Sequence, residues 1–424
     1  VFNTALAAHE KHAQCRRRIV KNQVLNFVDS QAALFYFPGV SFTISRGSMQ
    51  HRFLYVVIVT LLFSLTLVAL PRFASRTNFA CRNCHVNPTG GGMRSPFGVS
   101  YGRDDLPVKS WQEQYALEDF NTNLTDFLSY GADVRLLYFY QRKDNSSERS
   151  SFFPMQADVY FNFAVSKKVN LFVNPAFGPF QRYEVFGIAK VIPANGYIKV
   201  GRFTPSYSLR LDDHTSYVRE ATPFRNNSGQ QTGVEVAIAP DPVSVVGAIT
   251  NGVAGDRASS APKALYGRAD TKFTAGPLNF YLGASAYRDN AGGGKLTLYS
   301  GFGAISVGER FTLVGELGQF SGNSPLMSIN GDRNARNSTR REMTQRALML
   351  EASYLLSSGF DLKVMYDFFD PDIDLQTGTA TRYSAGFEFF PVSGVEVRPL
   401  VRYTDDTVLK VKTTDIHVLF HFYL

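Results

Sequence analysis

"ADVYFNFAV" at 157–165 is followed by "SKK" and then by "VNLFVNPAFG" from residue 169. In an extended chain Ala157, Val159, Phe161, Phe163 and Val165 share one face, and Asp158, Tyr160 and Asn162 the other. A period of two over this length predicts a strand with one apolar face, and the short polar break suits a tight return. The same unit recurs along the chain. "EVFGIAKVIP" returns as "YIKVGRF", with Asn195-Gly196 read as the turn. "TGVEVAIA" returns as "VSVVGAIT" through "PDP", and "ALYGRADTKFT" as "LNFYLGASAY" through "AGP". "KLTLYSGFGAIS" pairs with "RFTLVGELGQF", "RALMLEASYLL" with "FDLKVMYDFF", and "RYSAGFEFF" with "VEVRPLVRY". "DVRLLYFYQ" at 133–141 opens the series and "DIHVLFHFYL" at 415–424 closes it.

The total is about sixteen strands. Each tight turn joins an even strand to the next odd one, whereas the other connections, such as 143–153, 204–229, 251–262 and 321–342, are longer. A soluble sandwich has no reason to sort its loops by end. A bacterial outer-membrane barrel does: short periplasmic turns, long external loops and an even number of antiparallel strands. The fold class is therefore all-β, an antiparallel transmembrane β-barrel over 129–424 with outer-membrane lipid around it. In the last strand Ile416, Val418, Phe420, Phe422 and Leu424 form an apolar outer face, so that His417, Leu419, His421 and Tyr423 point into the lumen.

Composition agrees. The 424 residues include 36 Phe and 21 Tyr but one Trp, and only 19% are charged. Mean hydropathy near zero excludes a bundle of membrane helices. The net charge of +8 is concentrated at the front: residues 1–48 carry +4 and 49–75 carry +2, which leaves +2 for the rest. The body has no basic footprint for nucleic acid.

Met49 begins "MQHR", and an apolar run fills 53–70. A basic start followed by an apolar stretch reads as a secretory signal over 49–75, with Ala74 or Ser75 as the last residue removed. A retained membrane anchor is the alternative. Residues 1–48 read as an upstream extension of the gene rather than of the protein. Cys15 falls in that extension, so the remaining pair, Cys81 and Cys84, offers no disulfide framework.

That pair stands in "CRNCH" at 81–85. In c-type haem attachment two thiols at this spacing add across the haem vinyl groups, and the following histidine becomes the proximal iron ligand. A structural zinc site lacks its second ligand pair, and a thioredoxin-type redox pair lacks its βαβ context. We expect one covalent haem c on Cys81 and Cys84 with His85 on the iron. Met93, His214, His417 and His421 compete for the sixth position. The haem segment, 76–128, is short for a free-standing cytochrome, so the barrel is expected to complete it, as a plug in the lumen or at its periplasmic mouth. The connection 204–229 stands where porins fold a loop inward and holds Arg210, Asp212, Asp213, His214, Arg219 and Glu220. Two carboxylates beside a histidine suit a cation such as Fe(II) in transit. A charged constriction loop, salt-bridged to lumen arginines, is the favoured reading.

An exported "CRNCH" segment joined directly to about sixteen porin-like strands resembles the fused monohaem cytochrome–porins of the outer membrane. Some of that family are proposed iron oxidases. The resemblance covers 76–424 as architecture, and residue by residue only Cys81, Cys84 and His85 carry over. It implies electron transfer between an extracellular donor or acceptor, Fe(II) among them, and a periplasmic carrier such as a soluble cytochrome. The hydrocarbon band is roughly 25 Å tall. A haem at the periplasmic mouth would be too far from the exterior for direct tunnelling, so either it sits high in the lumen or the donor enters. Two rivals stand beside this reading: a solute porin whose haem-bearing plug is accessory or gating, and a barrel that needs a periplasmic multihaem cytochrome. No motif supports a nucleophile–base constellation, so enzymatic activity enters only as Fe(II) oxidation.

Overall fold

The computed structural model describes the chain from residue 72 onward, except 112–120, 145, 176, 178–182, 212, 214, 221, 225–228, 256–261, 291–293, 324–341 and 377. Residues 1–48, the apolar run at 53–70, Asp212 and His214 lie outside the described residues.

Sixteen antiparallel strands form one closed barrel. They are β1 Leu128–Lys143, β2 Arg149–Ala164, β3 Val169–Asn174, β4 Glu184–Ile192, β5 Gly196–Phe203, β6 Gln231–Ile238, β7 Val243–Thr250 and β8 Ala264–Ala275. The second half comprises β9 Leu278–Asp289, β10 Leu296–Val307, β11 Phe311–Gly322, β12 Met343–Ser357, β13 Phe360–Asp370, β14 Ala380–Phe389, β15 Val395–Asp406 and β16 Val411–Tyr423. Each strand pairs with its neighbour in sequence, and β1 closes on β16 from Asp133↔Tyr423 to Lys143↔Thr413. Closure leaves no open edge and pairs the ladder hydrogen bonds within the barrel, as hydrocarbon requires.

Side chains alternate as the period of two requires. In β16 Asp415, Leu419, His421 and Tyr423 are buried towards the lumen, whereas Ile416 and Phe422 are exposed on the outside. The exterior carries many exposed large hydrophobics in mid-strand, among them Leu282, Leu317, Val364 and Val401. On a soluble surface such a band would be a liability; against lipid it is the required face.

Three local differences from the sequence reading have physical causes. β2 begins at Arg149, so the first external connection shrinks from 143–153 to 144–148. Pro154 lies within the longer strand, at a register shift opposite Arg135/Leu136, where a missing N–H is tolerated. The β4–β5 turn is centred on Ala194 and Asn195, both with positive φ, and Gly196 is already the first residue of β5. Leu128, assigned to the segment before the barrel, opens β1.

The segment before β1 lies in the short-turn, periplasmic end of the lumen. Its described elements include the short helices α1 Arg72–Thr77, α2 Cys81–Cys84 and α3 Pro96–Ser100, and a π-helical turn over Tyr101–Asp105. One-turn helices have little stability of their own; contacts with the wall hold them. Arg72 ion-pairs with Glu388, which also takes Lys363 at 2.9 Å and Arg398 at 3.3 Å. Arg76 grips Asp361 with two nitrogens, at 3.0 and 2.6 Å, and reaches Ser353 and Thr312. The Ser306 hydroxyl lies 2.6 Å from that of Ser75, Ser358 donates to the Pro107 carbonyl and Ser393 to that of Arg103, both at 2.8 Å. Arg72 and Ser75, which the signal reading assigned to 49–75, thus take part in the same docking.

Removing one partner of a buried ion pair leaves the other uncompensated, at a cost of about 3 kcal/mol or more, whereas an exposed pair is worth about 1 kcal/mol at most. Arg76 and Asp361 are both buried; of the pair Arg82 and Asp241, 2.7 Å apart, Arg82 is half-buried and Asp241 exposed. Arg76→Ala should therefore make residues 72–111 far more susceptible to limited proteolysis in the intact barrel, and Arg82→Ala should leave cleavage near the unsubstituted rate. Equal rates for the two variants would contradict this docking.

Candidate functional site

Cys81 and Cys84 are three residues apart on the single turn of α2, so both thiols emerge on one side. The turn ends at His85, whose extended backbone still donates to the Cys81 carbonyl at 2.9 Å. The chain then loops through Gly90, Gly91 and Gly92, all with positive φ (86°, 76° and 64°). A Cβ on Gly90 would lie 3.1 Å from the Cys81 sulfur, so the strap closes over the thiol only because the side chain is missing.

Both thiols, His85 and the three glycines line one cavity of about 240 Å³. The barrel supplies the opposite wall: Asp133 and Arg135 from β1, Glu388 from β14, Glu396 from β15, and His421 and Tyr423 from β16. A second, polar cavity of about 110 Å³ lies against the same strap and adds Asp158 and Glu184. Arg210, from the inward loop, borders both. Burial pushes the Cys81 thiol up to about 12, against the opposing charge of Arg268. Burial raises Cys84 as well, with Arg94 acting the other way.

Of the histidine and methionine candidates, the structure brings one to the cavity among the described residues. His421 is buried on its wall, with Nδ1 2.7 Å from Glu396 Oε2 and Nε2 3.1 Å from Asp133 Oδ1. As an iron ligand it would exchange the Asp133 contact for the metal. Met93 is buried in the aromatic cluster of the wall with Tyr160 and Phe172 and is not among the cavity-lining residues. His417 lies further along β16, with its ring 5.3 Å from that of Phe139, and is also outside the cavity lining. His214 lies outside the described residues.

The inward loop spans the lumen. Beyond β5, Ser208 bonds to Ser285 of β9 at 2.9 Å and Ser300 of β10 at 2.7 Å, and its carbonyl accepts from Arg268 at 2.8 Å. A one-turn helix, α4 Tyr217–Glu220, follows. Arg219 pairs with Glu316 through two nitrogens, at 3.0 and 2.7 Å, and Ser216 donates to Asp367 at 2.6 Å. On the far wall Arg402 pairs with Asp213, and Arg382 donates to the Thr215 carbonyl at 2.7 Å. Asp213 is held well below the usual carboxylate range: burial alone would raise it, but Arg402 and bonds from Thr215 outweigh that. This is the charged, salt-bridged loop that the sequence favoured.

No protein-family model matches the chain, and no curated protein matches it. Among solved structures, it is similar to an anion-selective porin from Comamonas acidovorans, with a TM-score of 0.53, 11% identity, and coverage of 70% of this chain and 99% of that one. The fold is that of an outer-membrane porin. OmpT of Vibrio cholerae (TM-score 0.47, 12% identity, 72% and 100% coverage) and the channel DcaP of Acinetobacter baumannii (0.49, 11%, 70% and 97%) are also similar. The chain thus has a porin-like barrel fold.

Arg72, Arg94, Arg135 and Arg210 were not expected at the site. The alternation of β1 could have placed Arg135 inward beside Asp133; the other three arrive through tertiary contacts that no local pattern encodes.

A thiol raised to about 12 is almost wholly protonated at neutral pH, and only the thiolate reacts. Against a free thiol near 8.5 the thiolate fraction falls by a factor of about 10³, and the greater nucleophilicity of a more basic sulfur recovers part of it. In haem-free barrel, Cys81 should react with iodoacetamide roughly a hundredfold more slowly than a small thiol at pH 8. Its rate should keep rising with pH up to about 12. A rate that levels off below pH 9 would contradict the raised Cys81 thiol (~8.5 being the free-thiol value).

Proposed function

We propose that this protein is an outer-membrane cytochrome–porin, in which a haem c held by Cys81 and Cys84, with His85 as its proximal ligand, moves electrons between an extracellular partner and a periplasmic carrier. The observation that carries this reading is the shared cavity: two thiols, the adjoining histidine and a barrel-made wall meet in one space inside the lumen. The residues fit the group. The thiols stand free on one side of one turn, and the glycine strap leaves a space that side chains would fill. A covalently bound haem supplies one-electron redox chemistry there. The chain's own part is to hold and enclose it. Tyr423 and Phe390 line the cavity from the barrel side and would help enclose the group, and the docked α1 keeps the segment in the mouth.

The position of the site selects among partners. His421 is two residues from the periplasmic end of β16, so the site lies near the inner rim and the full height of the hydrocarbon band separates it from the exterior. A large extracellular partner is thereby disfavoured, and a small soluble one that can descend the lumen is favoured. Fe(II) meets that condition, and Asp133, Asp158 and Glu184 around the polar cavity are ligand types suited to it. A soluble cytochrome is the fitting partner on the periplasmic side.

A second reading is a solute porin whose haem-bearing plug is accessory or gating. The likeness to an anion-selective porin favours it, because that likeness concerns the channel architecture alone. The docked segment and the inward loop tied from β9 to β15 weigh on the other side.

The two readings separate when barrels oriented in sealed vesicles are given Fe(II) on the outside. A conduit shows rapid reduction of the haem band together with low ion conductance in planar bilayers. A haem that ignores Fe(II), in a barrel that conducts freely, would overturn the electron-transfer reading and leave the porin.

A further inference from the structure

Four arginines border the thiol-lined cavity, and they are not equivalent. Arg72 has Glu388 as its ion partner, and Arg135 has Asp133 at 2.9 Å. Arg94 and Arg210 have no side-chain carboxylate partner among the described residues. Arg94 lies across the ring of Tyr423, 4.2 Å from its centroid, and donates to the Leu424 main-chain oxygen at 3.5 Å. Arg210 is fixed by one bond, to the Thr204 carbonyl at 3.0 Å, and its buried Nε has no hydrogen-bond partner among the described residues. Its side chain runs beside Gly91, where a built Cβ would lie 3.7 Å from Arg210 Cδ.

A guanidinium that loses water and gains no anion is unfavourable, and its planar fork suits a carboxylate. The three carboxylates on the cavity wall already have cationic or histidine partners: Glu388 has Arg72, Lys363 and Arg398, Asp133 has Arg135 and His421, and Glu396 has His421 at 2.7 Å and Arg398 at 3.5 Å. The two unmatched cations therefore call for anions from outside the chain, in the same cavity as Cys81 and Cys84. A haem carries two propionates.

We propose that Arg94 and Arg210 anchor the two carboxylates of the porphyrin. This rests on the haem reading of Cys81, Cys84 and His85 and assigns that site its anion contacts. One anchor comes from the plug and the other from the inward loop, so loading the site would tie the two together. Binding needs no covalent change at either arginine: each N–H donates to a propionate oxygen and both charges persist.

The test uses holoprotein matured with covalent haem and compares unsubstituted protein with Arg94→Gln, Arg210→Gln and the corresponding lysine variants. Arg103→Gln, which alters an arginine paired with Asp104 at 2.8 Å at the rim, is the control. The propionate bands of the resonance Raman spectrum should shift in each glutamine variant and not in the control. The midpoint potential should fall in each, because a propionate without its cation favours ferric iron. The lysine variants should recover most of the potential, having kept the charge. Unchanged bands and potential in both glutamine variants would overturn the proposal with the haem reading intact. Absence of covalent haem from the unsubstituted protein, read by the pyridine haemochrome spectrum, would overturn the haem reading itself.

Discussion

Backbone amides and carbonyls cannot be left unpaired in hydrocarbon, and here the last set is satisfied by the closure of β1 on β16. Much else depends on that seam. Once the sheet is closed, every second side chain faces lipid and the intervening ones face an enclosed lumen, so polar chemistry has one place to go. The seam is also where the candidate site lies. Asp133 and Arg135 from β1 and His421 and Tyr423 from β16 flank it on the inside, and the thiols of α2 face the same cavity.

Charge pairing ties the segment before β1 and the inward loop to the lumen wall. Glu388, Asp361, Glu316 and Asp213 each hold an arginine contributed by the plug, the inward loop or the wall. Buried pairs of this kind add little net stability over an apolar filling, but each is costly to break singly, so they specify one arrangement. An aromatic cluster runs beside them along β2–β5, where the rings of Phe172 and Phe186 stack 4.7 Å apart. Met93 packs into it, which holds the glycine strap against the wall.

The strands were legible because their signal is local. The period of two places residues correctly without knowledge of any partner, and Val243–Thr250 is bounded in the structure as it is in the sequence. The inward direction of His417 and His421 followed from the same rule. Where the local pattern is interrupted the reading fell short: β2 begins at Arg149, inside the connection 143–153, and crosses a register shift that depends on its pairing with β1. The pairing of Cys81 and Cys84 on one turn was legible as spacing, and the shortness of their segment pointed to the barrel wall that completes their cavity. The arginines around it were not, since Arg210 and Arg94 reach the cavity from parts of the chain more than 100 residues apart. Nor could the sequence separate the histidines, because only the fold brings His421 to the cavity wall and leaves His417 further along the strand.

The central claim is that a covalently attached haem sits with the plug inside this barrel. Its most direct measurement is the intact mass of the folded outer-membrane protein, produced in cells with cytochrome c maturation and compared with a Cys81→Ala/Cys84→Ala variant. The account predicts a mass increment of one haem that survives unfolding, is absent from the double variant, and stays with the barrel after protease treatment of the folded protein. A chain that carries no haem after export through that machinery, with both thiols still free, would contradict it.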